Sequence, residues 1–187
     1  MYRFYKKRKL IRKPQKKPPW YAPLKNSLII DKPGVGAEPD VKYVSDEKGR
    51  RKCQFGVCDP FTRLYHRETF NTRESKNATL ALKNAQAVWG FSFCSVQTDN
   101  GGEFRGEFHN YLEKAGIAHR FIPKKSPWWN GIVERIHRSM DEEYHCNPRR
   151  KWKSPKDWVR FYNTERNHLG LEGITPREKL ESVTVDC

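Results

Sequence analysis

At 187 residues, with 36% hydrophobic and 13% aromatic side chains, the chain has enough apolar material for one domain of roughly 130 to 150 residues and is too short for two. The same figures exclude wholesale disorder. Thirty-seven Lys and Arg against 22 Asp and Glu leave a net charge of +15, whose commonest cause is contact with polyphosphate, so nucleic acid is the expected partner.

No run of about 18 apolar residues occurs, and residues 28–30 are too short for a signal core, so no membrane partner and a cytoplasmic, nucleoid-associated location are expected. Cys53, Cys58, Cys94, Cys146 and Cys187 form no CxxC pair and no zinc-finger set, and they read as reduced, mostly buried thiols.

In chain order, residues 1–30 carry ten Lys or Arg and no acid, broken by Pro14, Pro18, Pro19 and Pro23, which reads as a flexible basic arm. A core is expected over residues 31–150. Residues 52–58 and 64–70 read as two strands of a hairpin with its turn at 59–62. Residues 75–89 place Ala78, Leu82, Ala85 and Trp89 on one helical stripe, with Gly90 as its stop. A strand at 93–96, a helix at 104–114 ending at Gly116 and a strand at 118–122 follow. Alternating strands and helices predict a layered α/β domain.

Asn130 is a plausible N-cap for a helix reaching about residue 144. Ile132, Val133, Ile136, Met140 and Tyr144 fall within an arc of about 120°, with Glu134, Arg138 and Asp141 on the opposite side. His137, three residues after Glu134, is expected beside it on the helix surface. Residues 151–187 read as a helical segment whose Trp152, Trp158, Phe161 and Tyr162 cover apolar surface of the core.

Three acids stand out against the basic background. Asp99 closes a buried strand and opens a Gly-containing turn into a helix, where open α/β sheets place ligands, although turn chemistry alone also explains it. Glu134 faces out of its helix, and Asp40 opens the apolar stretch at 41–44. Converging carboxylates repel unless cations join them, and hard divalent ions suit that role.

Residues 97–104 (QTDNGGEF), 126–131 (SPWWNG), 133–138 (VERIHR), 161–168 (FYNTERNH) and 173–176 (GITP) together resemble the integrase core of bacterial insertion-sequence transposases, which is related to retroviral integrases. The resemblance runs from about residue 31 to residue 180. It implies an RNase H-like three-layer α/β/α fold with a mixed five-stranded sheet flanked by helices. It further implies metal-dependent DNA strand cleavage and strand transfer, with Asp40, Asp99 and Glu134 as catalytic residues and ligands of two Mg2+ ions, Mn2+ substituting. A remnant that keeps DNA binding and has lost catalysis is the alternative.

The implied partners are transposon ends and target DNA, bound by a homo-multimer with no small-molecule cofactor. Lys124, Lys125, Arg135 and Arg138 are candidates for phosphate contact, and Trp128 or Trp129 for stacking on an unpaired base. The prolines at 33 and 39 ahead of Asp40 depart from the family pattern and predict a late or distorted first strand, leaving Asp46 and Asp59 as replacement ligands.

Overall fold

The computed structural model describes residues 28–123 and 126–184. All but the last three residues of the basic arm lie outside them, as do Lys124, Lys125 and Cys187.

Three antiparallel strands lead: β1 (Glu38–Ser45), β2 (Arg51–Cys58) and β3 (Tyr65–Phe70), in spatial order β1-β2-β3. Each turn is closed by an aspartate. Asp46 Oδ1 accepts the N–H groups of Lys48 and Arg50 between β1 and β2. Asp59, fully buried, accepts Thr62 N–H at 2.7 Å and the Thr62 hydroxyl at 2.8 Å, while its other oxygen accepts Gly34 N–H at 3.0 Å. Both carboxylates thus shape the backbone of their turns.

Helix α1 (Ser75–Trp89) has the expected bounds: Ala78, Leu82, Ala85 and Trp89 are buried, and Gly90 stops it at φ 76°. Strand β4 (Ser95–Thr98) starts two residues later than expected, because Phe93 fills the core from the preceding loop. The helix expected from residue 104 is divided. A 3-10 turn (Gly102–Phe104) comes first, and Gly106, at φ 55° and ψ −117°, separates it from α2 (Glu107–Lys114). Strand β5 (Ala118–Phe121) pairs parallel with β4.

Helix α3 (Gly131–Met140) widens into a π-helical turn (Asp141–His145), and the Asn130 side chain makes no capping bond to it. Helix α4 (Pro155–Thr164) opens on a capping box of Ser154 and Asp157, and α5 (Pro176–Thr184) follows. Among the described residues no helix is long and apolar enough to cross a membrane.

The five strands form ladders of three and two rather than one continuous mixed sheet, and Pro39 explains the seam. Ala37 N–H donates to Ser95 O at 3.0 Å and Ala37 O accepts Gln97 N–H at 2.8 Å, so the polar groups of residue 37 face β4. Backbone groups alternate sides along a strand, so residue 39 faces β4 as well, and proline has no N–H to give. The junction shrinks to one parallel bridge, Ala37 to Val96, while Pro39 stays in register with Val57 of β2. Strand β1 therefore begins at Glu38, earlier than the prolines suggest.

Two apolar clusters cover the two faces. Cys53, Phe55 and Val57 of β2 pack with Ala78, Leu82, Phe108 and Leu112 of α1 and α2. Cys58 and Tyr65 pack on the opposite side with Val133, Ile136 and Met140 of α3 and Trp158 and Tyr162 of α4. The result is three layers, α/β/α. Cys53 and Cys58 are buried, but Cys94 and Cys146 are exposed because both lie in connecting segments, so the expectation of mostly buried thiols fails for half of those described.

The segment after α3 covers part of the edge of β3, beyond which no strand lies among the described residues. Asn163 Oδ1 accepts Tyr65 N–H at 2.9 Å and Asn163 Nδ2 donates to Tyr65 O at 2.8 Å, so one amide satisfies both free backbone groups.

Candidate active site

Helix α3 runs parallel to β1, and their periods match. Two strand residues advance about 6.7 Å and four helix residues about 6 Å. Glu38, Asp40 and Lys42 consequently meet residues 133, 137 and 141 in turn. Glu38 Oε2 accepts Val133 N–H at 3.3 Å, His137 Nδ1 lies 3.1 Å from Asp40 Oδ2, and Lys42 Nζ donates to His137 O at 3.1 Å and to the Asp141 carboxylate. Asp141, expected to point away, is held over β1 by Lys42.

His137 was expected on the helix surface and is buried instead. It keeps the helical spacing of Val133, Ile136 and Met140, so the stripe that located the core face also located this side chain. Gly56 makes the approach possible. It sits opposite Asp40 on β2, and a Cβ there would lie 2.5 Å from His137 Nε2 and 2.6 Å from the Tyr65 hydroxyl.

Burial pushes the Asp40 carboxyl up, but the hydrogen bond and charge of His137 outweigh it and leave the pKa below the ordinary aspartate value. Glu38, 6% exposed, is pushed up by burial to about 7 despite the Val133 N–H and the charge of Arg63. Glu134 is raised by burial and then by the negative charge of Asp40, against the pull of His137 and Arg138.

Asp99 follows β4 directly, and its Oδ1 accepts Gly101 N–H at 2.8 Å. Asp40 and Asp99 each stand three residues beyond the Ala37–Val96 bridge, Asp40 within β1 and Asp99 just past the end of β4. Thr98 turns to His119 on the α2 side, while Gln97 donates its amide to Trp129 O on the α3 side. By alternation Asp99 falls with Gln97, on the side of α3. The other acid of the motif, Glu103, is buried under Gly101 and paired with Arg73, a structural role.

Asp40, Asp99 and Glu134 offer only carboxylate oxygens, the donor type of hard divalent cations. As they stand, Asp40 is turned onto His137 and Asp99 onto its own turn; among the described residues no three His, Cys, Asp or Glu side chains are grouped closely enough to hold a metal ion. Arg135 and Arg138 are exposed on α3, Trp128 is 72% exposed, and Lys124 and Lys125 lie outside the described residues.

Residues 115–176 match the family model described as integrase core domain. In shape, the chain is similar to the HTLV-2 integrase catalytic core domain solved with magnesium (TM-score 0.64, 19% identity, 79% of this chain and 96% of that one). The fold is that of an integrase catalytic core. A chain of the simian T-cell lymphotropic virus intasome, solved with the PP2A regulatory subunit B56 gamma, matches with TM-score 0.69, 17% identity and coverage of 90% and 60%. The BIV integrase core matches with TM-score 0.59, 18% identity and coverage of 82% and 98%. In sequence, a Spiroplasma virus SpV1-C74 protein named "Putative integrase ORF3" is 28% identical over 171 residues, covering 78% of this chain. The chain spans about half of that relative's length (47%). These matches give the integrase-core likeness and its RNase H-like α/β architecture; the roles of individual side chains rest on the geometry above.

Proposed function

We propose that the chain is the catalytic core of a DNA integrase or transposase, which cuts one DNA strand and joins the freed 3′-hydroxyl to a second DNA. The observation that carries this reading is the contact of Asp40 on β1 with His137 of α3, the helix that also carries Glu134, while Asp99 follows β4, the strand bridged to β1 through Ala37 and Val96.

Asp40, Asp99 and Glu134 would hold two Mg2+ or Mn2+ ions, and the repulsion between Asp40 and Glu134 is what such cations relieve. Bound divalent ions activate the attacking water or hydroxyl and steady the leaving oxygen of a phosphodiester. His137 keeps Asp40 ionised and oriented, acting as a positioning residue. Arg135, Arg138, Lys124 and Lys125 would hold phosphates, giving affinity and register, and Trp128 would offer a face to an unpaired base.

The working form is a multimer of this chain on transposon ends and target DNA in the cytoplasm, beside the nucleoid. It is supported by the intasome and by the dimeric and trimeric forms among the HTLV-2 core structures. A basic arm at 1–30, a core at 31–150 and a helical C-terminal segment at 151–187 complete the proposed organisation.

A second reading, DNA binding without cleavage, is favoured by Pro39, which interrupts the β1–β4 ladder one residue before Asp40. The test is a branched duplex whose free 3′-hydroxyl abuts the joint phosphodiester, so that joining is run in reverse and no terminal sequence need be known. Turnover with Mg2+ or Mn2+ that disappears in Glu134→Gln supports the first reading. Binding without turnover supports the second.

A further inference from the structure

The far end of the same sheet face carries a cleft of about 640 Å³ between the β1–β2 hairpin, the π-helical turn and the start of α4. It opens at Val44, four residues or about 13 Å along β1 from Asp40. Six cations line it, Lys48, Arg50, Lys52, Arg67, Arg150 and Lys156, against two acids, Asp46 and Glu47. Asp46 is already engaged by the hairpin backbone and by Arg50, so little negative charge remains to neutralise the rest.

Two enclosed nitrogens beside this cleft lack a partner. Arg67 donates one guanidinium nitrogen to the Thr69 hydroxyl, but its Nε is enclosed with nothing to bond, and burial lowers its pKa. His145 Nε2 is likewise enclosed and unbonded; burial and then the charge of Lys42 push that ring down to about 4, so it is neutral at physiological pH. Unsatisfied buried groups are rare because leaving one unpaired is costly. An oxygen-rich anion in the cleft would meet the surrounding cations.

We infer that this cleft is a phosphate-binding site separate from the acidic centre, taking consecutive phosphates of a polyanion, either a DNA backbone or a free polyphosphate. The inference stands whether or not the chain cuts DNA.

The probes are inorganic tripolyphosphate, followed by calorimetry, and a labelled DNA duplex, followed by anisotropy across a salt series, both with the full chain in EDTA. Lys48, Arg150 and Lys156 are exposed rim residues; the triple substitution K48A/R150A/K156A gives up the stacking of Arg150 over Tyr144, and K83A/K114A/R177A likewise gives up that of Lys83 over Tyr111. K83A/K114A/R177A removes the same charge from exposed positions outside the cleft.

The expected result is tripolyphosphate binding that weakens at least tenfold in the rim variant and less than twofold in the control. Each lost phosphate contact lowers the salt slope of duplex binding by about 0.9. A slope reduced by about two or more beyond the control assigns the cleft to DNA, and an unchanged slope with lost tripolyphosphate binding assigns it to a free polyphosphate. Absence of tripolyphosphate binding, or equal losses in the two triple variants, overturns the inference.

Discussion

Asp40 on β1 and His137 on α3 meet at 3.1 Å over Gly56, so the first acid of the candidate site is tied to the helix that carries the third. A folded-state pKa held below the unfolded one means that this contact stabilises the fold above the ordinary aspartate range and loses that contribution as pH falls through the folded value. In His137→Ala, burial of Asp40 goes unopposed by its main partner. The acid-unfolding midpoint, followed by circular dichroism in EDTA, is expected to move to higher pH. An unchanged midpoint would mean that the contact does not hold Asp40 ionised.

Gly56 is required by space rather than by backbone conformation. Gly56→Ala drives a methyl into the His137 ring and the Tyr65 hydroxyl, and overpacking of this kind costs about 1 to 3 kcal/mol. Urea unfolding should show that loss together with a shift of the acid midpoint in the same direction as His137→Ala.

Glu38 has the opposite sign. Its carboxyl is raised from 4.5 to about 7, so its neutral form is favoured on folding; the contribution is full below the unfolded pKa and disappears as pH rises through about 7. The difference corresponds to about 3 kcal/mol at most. Glu38→Gln keeps an oxygen for Val133 N–H and should melt higher than wild type at pH 8.5, with the gain fading toward pH 4.5. A constant offset across that range would show that ionisation of Glu38 is not the cause.

Asn163 joins the C-terminal segment to the free edge of β3. Asn163→Leu strands the N–H and C=O of Tyr65 and should cost about 2 to 4 kcal/mol in urea unfolding. Asn163→Asp retains only the acceptor and should fall between Leu and wild type.

Helix α1 was legible to the residue because a regular apolar stripe and a glycine stop agreed. The β4–α2 region was less so: Phe93 is apolar but lies outside the strand, and Gly106 divides what periodicity joined. Pro39 was correctly seen as a fault, but hydropathy cannot tell which neighbour a strand's missing donor faces. Here it faces β4, so β1 keeps its pairing with β2 and the sheet divides beside it. Of the site, the three acids are visible as types at intervals, whereas His137, read as a surface neighbour of Glu134, is buried. Its pairing with Asp40 required the register of α3 on β1, which no local pattern encodes.

If Asp40, Asp99 and Glu134 form one cation site, a Mn2+ titration of thermal stability reports it without needing turnover. The melting temperature of wild type is expected to rise with Mn2+, and Asp40→Asn, Asp99→Asn and Glu134→Gln are each expected to lose most of that rise while remaining folded. An equal rise in wild type and all three variants would contradict it.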